Sequence, residues 1–195
     1  MKKSEETRLS ILKNAAQHMY IKGYQATSID DILSSMQVTK GAFFYHFKNK
    51  EEMALAILRE LMHPMMKSMM VVPLNYSEDP VKDIVIMMKS LLGDRVNFDP
   101  RYGCPLVNLI EEMTPLSEPF SQALQMLTLA WIDAIADCLK RGQLRGKVRQ
   151  ELNTKDAATY IVGAYAGARN MGKMFGPASY QSFLTQFIHY TETLS

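Results

Sequence analysis

Two cysteines, Cys104 and Cys138, are all the chain has in 195 residues. They build no disulfide framework and fit no metal-ligand spacing, so a reducing cytoplasm is the expected setting. The four histidines, His18, His46, His63 and His189, also lack metal spacing, and no Gly-rich phosphate loop precedes a helix. No metal and no cofactor are expected. Long apolar runs are missing as well. The most tempting stretch, Met65–Leu74, is broken by Lys67 and Pro73, and the apolar positions from Leu9 on are interrupted by Lys13 and Lys22. Neither a membrane span nor a signal peptide is predicted. Charge of one sign is scarce: the net value is +2, too small to argue for nucleic acid alone. That excess sits in residues 1–62, with nine Lys/Arg against seven Asp/Glu; beyond them the signs balance. Paired catalytic carboxylates are absent too. Glu111 and Glu112 are adjacent, so on a helix they point in different directions. No enzyme is predicted.

Helical periodicity fills the rest. Leu9, Leu12, Ala16 and Met19 recur at helical spacing, Glu5 and Glu6 suit the positive end of the first helix, and Gly23 suits its stop. Thr27 or Ser28 caps a short second helix, each three residues ahead of an aspartate. Asn49 opens a long helix with Glu52 at the capping-box position. Pro64 predicts a kink or break near Leu61, and Val71–Asp79 reads as a loop. Further helices are predicted from Pro80 to Gly93, Pro105 to Met113, about Glu118 to Arg141, Asp156 to Phe175 and Ala178 to Thr193. The chain is all-α.

One stretch stands apart. Val38–Glu52, VTKGAFFYHFKNKEE, is basic and aromatic. A 3.6-residue period puts Phe43 and Phe47 on one side and Tyr45 and His46 on another. The first pair fits a small core. The second offers hydroxyl and imidazole donors to phosphates and base edges. Short helix, tight turn and basic-aromatic helix make a helix-turn-helix.

On these residues the segment from about Arg8 to Met53 resembles the DNA-binding domain of the TetR family of one-component transcriptional regulators. Gly23-Tyr24, Thr27–Ile32, Val38–Phe47 and Lys50–Met53 carry the likeness. The resemblance implies an N-terminal three-helix domain over residues 1–48 and a helical ligand-binding and dimerisation domain over 49–195. It implies a ligand-responsive repressor that grips a near-palindromic double-stranded operator as a dimer and is released by a small apolar or electrophilic effector. A ligand-responsive activator, or a helical enzyme or carrier with a vestigial helix-turn-helix, stays open as an alternative. Mapped onto this chain, Thr39, Lys40 and Gly41 open the recognition helix, Tyr45 takes the base-facing position, His46 and Lys50 take phosphate positions, and Thr27 or Ser28 touches the backbone. The chain departs from the family pattern at three places. Phe44 stands where a tyrosine is usual. Gln37 stands where the turn usually has glycine, which predicts a left-handed residue costing roughly 1 kcal/mol. Leu33 and Met36 replace small residues.

Fifteen methionines suggest either a loosely specified core or an adaptable apolar pocket. The candidate pocket residues are Met62, Met66, Met70, Met88, Phe98, Tyr102, Cys104, Trp131 and Tyr165. Gly103-Cys104-Pro105-Leu106 resembles the start of the sixth helix in a branch that binds small organic or electrophilic molecules. Cys104 has two readings: a thiolate favoured by a helix N-terminus, or a small buried hydrophobe. The resemblance implies a dimer interface from about 118–141 and 156–175, where Gly163, Gly167 and their alanine neighbours permit close approach.

Overall fold

The computed structural model describes residues 3–195, with Lys3 described by its backbone alone, and every regular element among them is helical. In chain order these are α1 (Lys3–Lys22), α2 (Ile29–Ser34), α3 (Lys40–His46), α4 (Lys50–Ile57), α5 (His63–Met66), α6 (Val72–Asn75), α7 (Pro80–Gly93), α8 (Pro105–Met113), α9 (Glu118–Leu144), α10 (Thr154–Phe175) and α11 (Ser179–Glu192). None of the described helices is long and apolar enough to cross a membrane.

Local capping chemistry sets the helix starts. The Ser28 hydroxyl accepts from the Asp31 N–H at 3.0 Å, and the Asp31 carboxylate accepts from the Ser28 N–H at 2.8 Å. This reciprocal box holds the Asp31 carboxyl down at about 2, through the Ser28 hydroxyl first and its amide second. Thr39, Asn49, Asp79 and Asn153 each accept from amides in the first turn of the helix they precede. At Asn49 the reciprocal half is shifted by one residue: the Glu52 carboxylate accepts from the Lys48 N–H at 2.9 Å. Gly23 ends α1 at φ +90°, a conformation that favours glycine.

Of the kink or break expected near Leu61, the break does not occur: the helix departs from α geometry there but continues, and the loop expected from Val71 begins only after Asn75. Two wide π turns, Leu58–Met62 and Lys67–Val71, interrupt the α geometry. Each ends two residues before a proline, Pro64 and Pro73. A proline lacks the N–H for the carbonyl four residues back, and its ring crowds that carbonyl. A turn widened by one residue relaxes both conflicts without ending the helix. The turn at Gln37 also differs from expectation. Among the described residues no non-glycine has positive φ, so the cost assigned to a left-handed Gln37 does not arise.

The chain divides into two compact units. One takes residues up to Pro64 together with Pro105–Gln125. In it α1 packs on α2, α3, α4 and α8. Ile11, Leu12, Ala15, Ile32, Phe43 and Met53 are fully enclosed, and Phe47 nearly so. The other unit takes Met65–Cys104 and Met126–Ser195. There α11 packs on α7 and α10, and α6 packs on α7. Near the end of α9, Arg141 donates to the Leu74 carbonyl at 2.7 Å, and just beyond it the exposed Arg145 donates to the Ser77 carbonyl at 3.0 Å.

The approach of α10 to α11 at Gly172 leaves no room for a side chain, since an added Cβ would lie 2.2 Å from the Tyr180 hydroxyl oxygen. Gly172→Ala is therefore expected to lower stability by about 1–3 kcal/mol, read as a lower urea midpoint at unchanged slope.

Candidate functional site

Helix α3 sorts its side chains by depth. Phe43 and Phe47 are sunk into the core of the first unit, whereas Phe44 is 53% and Tyr45 78% exposed. Phe44 and Phe47 pack against Phe43 with ring centroids 5.3 and 5.7 Å apart. The helix is thus gripped by one aromatic edge and offers the other to solvent. Thr39 and Gly41 are exposed at its start, the Thr39 hydroxyl accepting from the Ala42 N–H at 3.2 Å. A side chain added at Gly41 would meet only the Thr39 hydroxyl, at 3.8 Å. Nothing inside the fold requires a glycine there.

The cations on this face are differently engaged. Lys40 reaches back to Asp30 at 2.8 Å, an exposed pair that contributes little and can be exchanged for an outside anion. His46 is half-buried. Burial first, then the positive charge of Arg8, holds its imidazole below the ordinary value, so at neutral pH it is a neutral ring with one N–H to donate. Arg8 itself is held by Glu60 through two hydrogen bonds of 2.5 and 2.9 Å and stacks on Phe47.

Two residues expected at phosphates lie elsewhere. Thr27 is fully buried, and its hydroxyl donates to the Gly23 carbonyl at 2.7 Å. Its neighbour Ser28 is the exposed N-cap of α2. Lys50 turns inward. Its ammonium donates to the carbonyls of Tyr24 and Thr27, each at 3.0 Å, and sits over the Tyr24 ring at 4.2 Å. Both side chains hold the α1–α2 turn instead of reaching out.

The same turn has a third holder. Glu112, near the end of α8, accepts from the Tyr24 N–H at 2.9 Å and the Gln25 N–H at 2.7 Å. Its carboxylate also lies 3.2 Å from where a Gly23 side chain would begin. Glu51 accepts from the Ser117 hydroxyl at 2.6 Å, and Tyr24 packs edge-on against Phe120 at 5.0 Å. One short turn is therefore clasped by a carboxylate on its amides and an ammonium on its carbonyls.

The expected pocket residues separate. Met62 belongs to the first unit; Met66, Met70, Met88, Phe98, Cys104, Trp131 and Tyr165 are buried in the second, and Tyr102 is half-buried there. Their interior holds a residue the sequence did not point to. Arg169 is fully enclosed. Its Nε donates to the Tyr165 hydroxyl at 3.0 Å, one terminal nitrogen donates to the Leu91 carbonyl, and the other is 3.5 Å from the Tyr180 hydroxyl. The guanidinium lies over Phe98, Tyr165 and Tyr180 at 4.7, 5.2 and 5.6 Å.

Comparison with known proteins agrees with this geometry. A family profile described as bacterial regulatory proteins, tetR family, matches residues 11–57, and one described as tetracyclin repressor-like, C-terminal domain, matches 86–187. The chain is 34% identical to a transcriptional regulator in the lacX 3′ region of Lactococcus lactis subsp. lactis, over 62% of each chain and so under two thirds of that relative. It is 24% identical to the transcriptional repressor DhaR of Mycobacterium sp. strain GP1, over 83% of this chain and 79% of the repressor. Its fold matches a TetR transcriptional regulator from Chloroflexus aurantiacus with TM-score 0.89 at 23% identity, covering 98% and 97% of the two chains.

Lys50→Met keeps the aliphatic stem and removes the ammonium from two carbonyls. It is expected to cost about 1–2 kcal/mol of stability, read by urea unfolding. A lysine that served only as an outward phosphate contact would leave the midpoint unchanged.

Proposed function

The chain belongs to the TetR family of bacterial regulatory proteins, and from that premise we propose that it is a ligand-responsive repressor that binds a near-palindromic operator as a homodimer. The observation that carries this reading is the division of α3, with Phe43 fully enclosed and Tyr45 78% exposed. A helix held so firmly by one edge and left open on the other suits insertion into a major groove. Tyr45 is the base reader in this reading. Thr39, Lys40 and His46 position the helix on phosphates, Gly41 lets the backbone approach, and Ser28 touches the neighbouring strand from the start of α2. Repression is preferred to activation because a relative aligned over most of the chain is a named repressor.

Residues 1–48 act as the DNA reader in this proposal, and 49–195 as the effector and dimerisation part. Two segments link them: the helical stretch that begins at the Asn49 cap, and α8, which begins directly after Cys104 and carries Glu112 to the α1–α2 turn. A shift in either one moves the turn from which the reader hangs. That is a coupling free energy between effector and operator, of the order of 1–3 kcal/mol in such systems.

Support for the dimer comes from α10. Tyr160, Gly163, Gly167, Met171 and Met174 recur along one face and are all exposed, and an added Cβ at either glycine would meet nothing within 4 Å. Met126 and Leu129 of α9 are exposed as well. A bare apolar face with small residues at its centre fits a second copy of the chain.

Electrophoretic mobility shift on the DNA upstream of the protein's own gene tests the reading. A specific complex is expected at moderate salt; a folded dimer with no specific complex overturns it. Tyr45→Ala is expected to relax base preference, while Lys40→Ala weakens binding uniformly and lowers the salt slope by about 1. For the dimer, Gly167→Trp is expected to convert the protein to monomer in sedimentation analysis. A dimer that persists would move the interface elsewhere.

A further inference from the structure

Arginine is almost never fully buried unless an acid pairs with it. Arg169 breaks that pattern. Among the described residues no carboxylate lies within ion-pair distance of its guanidinium. Its contacts are two phenol oxygens, one peptide carbonyl and three aromatic faces. Asp94 acts on it only through space, and that carboxylate already accepts from the Val96 and Asn97 amides and the Asn97 side chain. The neutral partners hold the group in place but do not neutralise it.

A second, independent feature lies one ring away. Trp131 is 3% exposed, yet its indole N–H meets no oxygen or nitrogen acceptor among the described residues. Its ring packs edge-on against Tyr165 with centroids 5.1 Å apart. Tyr165 is the phenol that accepts from Arg169. A buried donor without an acceptor and a buried cation with no carboxylate in contact thus neighbour the same tyrosine. Burial above all, then the neighbouring Cys104, keeps the Tyr165 hydroxyl protonated far above neutrality, so the phenol is not the missing anion. The least engaged donor of Arg169 is the nitrogen 3.5 Å from Tyr180, at the outer edge of a hydrogen bond.

The geometry points to a binding site for a small organic monocarboxylate, its carboxylate received by Arg169 and the Trp131 N–H and its apolar body by Phe98 and the surrounding aromatic rings. The guanidinium fork matches a carboxylate in shape as well as charge. One buried cation balances one negative charge; a phosphate dianion would keep an uncompensated charge in an apolar interior. The effector class named here rests on the proposal that the chain is ligand-responsive.

Trp131 is the chain's one tryptophan, so its fluorescence reports on the site directly. The full-length protein is titrated with straight-chain acids from propanoate to octanoate, with benzoate and with phenylacetate, each against its primary amide. At least one acid is expected to saturate a change in Trp131 emission and to bind at least about ten-fold more tightly than its amide, the loss expected for a missing charged hydrogen bond. Arg169→Gln is expected to abolish that preference and Arg169→Lys to keep part of it. Acids no better than amides across the panel, or a preference that survives Arg169→Gln, overturns the site. Should Arg169→Gln fail to fold, the comparison of acid and amide in the unaltered protein decides alone. A mobility shift run in parallel separates the two readings: operator binding without acid preference sinks only this site, and acid preference without operator binding sinks only the repressor.

Discussion

Much of the reading head depends on one carboxylate. Glu112 accepts two consecutive backbone N–H groups, those of Tyr24 and Gln25, in the turn that joins α1 to α2. Helix α2 starts only four residues later, and α3 packs on α1 beyond it. Hydrogen bonds to a charged acceptor contribute about 1.5–3 kcal/mol, more than neutral ones. Lys50 closes the other side of the turn through its carbonyls, so the amides and carbonyls of one short segment are drawn in opposite directions by opposite charges. The burial of Thr27 follows from the same arrangement. Its hydroxyl and carbonyl are both spent inside the turn, which leaves Ser28 to face outward.

This clasp explains why the exposed edge of α3 can be rich in aromatic and polar side chains without loosening the fold. Phe43, Phe47 and the α1 core hold the helix from beneath, and the turn holds its neighbour in register. The charges of the outward face contribute little to that stability. Lys40 is spent on an exposed aspartate, and His46 is a neutral ring at pH 7. The residues proposed to touch DNA and those that hold α3 in place are therefore largely different. Thr27 and Lys50, both expected at phosphates, spend their side chains on the α1–α2 turn.

The all-α class and most helix starts were legible because they are local. Ser28, Asn49, Asp79 and Asn153 are capping residues by chemistry, and Gly23 ends α1 by conformation. The inward turn of Phe43 and Phe47 and the outward turn of Tyr45 follow from period alone. What was not legible is long-range or depends on an exceptional environment. Glu112 meets residues 88 and 87 positions away, and its sequence neighbourhood gives no sign of them. Arg169 sits among small residues that read as a packing stripe, and arginine ordinarily implies exposure; only the arrival of Phe98 and Tyr180 from distant segments makes it an interior cation. The disturbance near Leu61 was legible from Pro64, but its form and the helix continuing through Pro73 were not, because a proline argues for a break unless a wider turn absorbs it, and no residue pattern announces a π turn.

The second unit supplies an interior with unbalanced polar chemistry, and the first supplies the turn from which the proposed DNA reader hangs. We propose that α8, through Glu112, is one of the links that set operator affinity. Glu112→Ala isolates that link, because the substitution touches no side chain of the outward face of α3. With helicity and dimerisation unchanged, Glu112→Ala is expected to lower operator affinity about five- to thirty-fold relative to the unaltered protein, the range of a coupling near 1–2 kcal/mol. An operator affinity that does not change would contradict it.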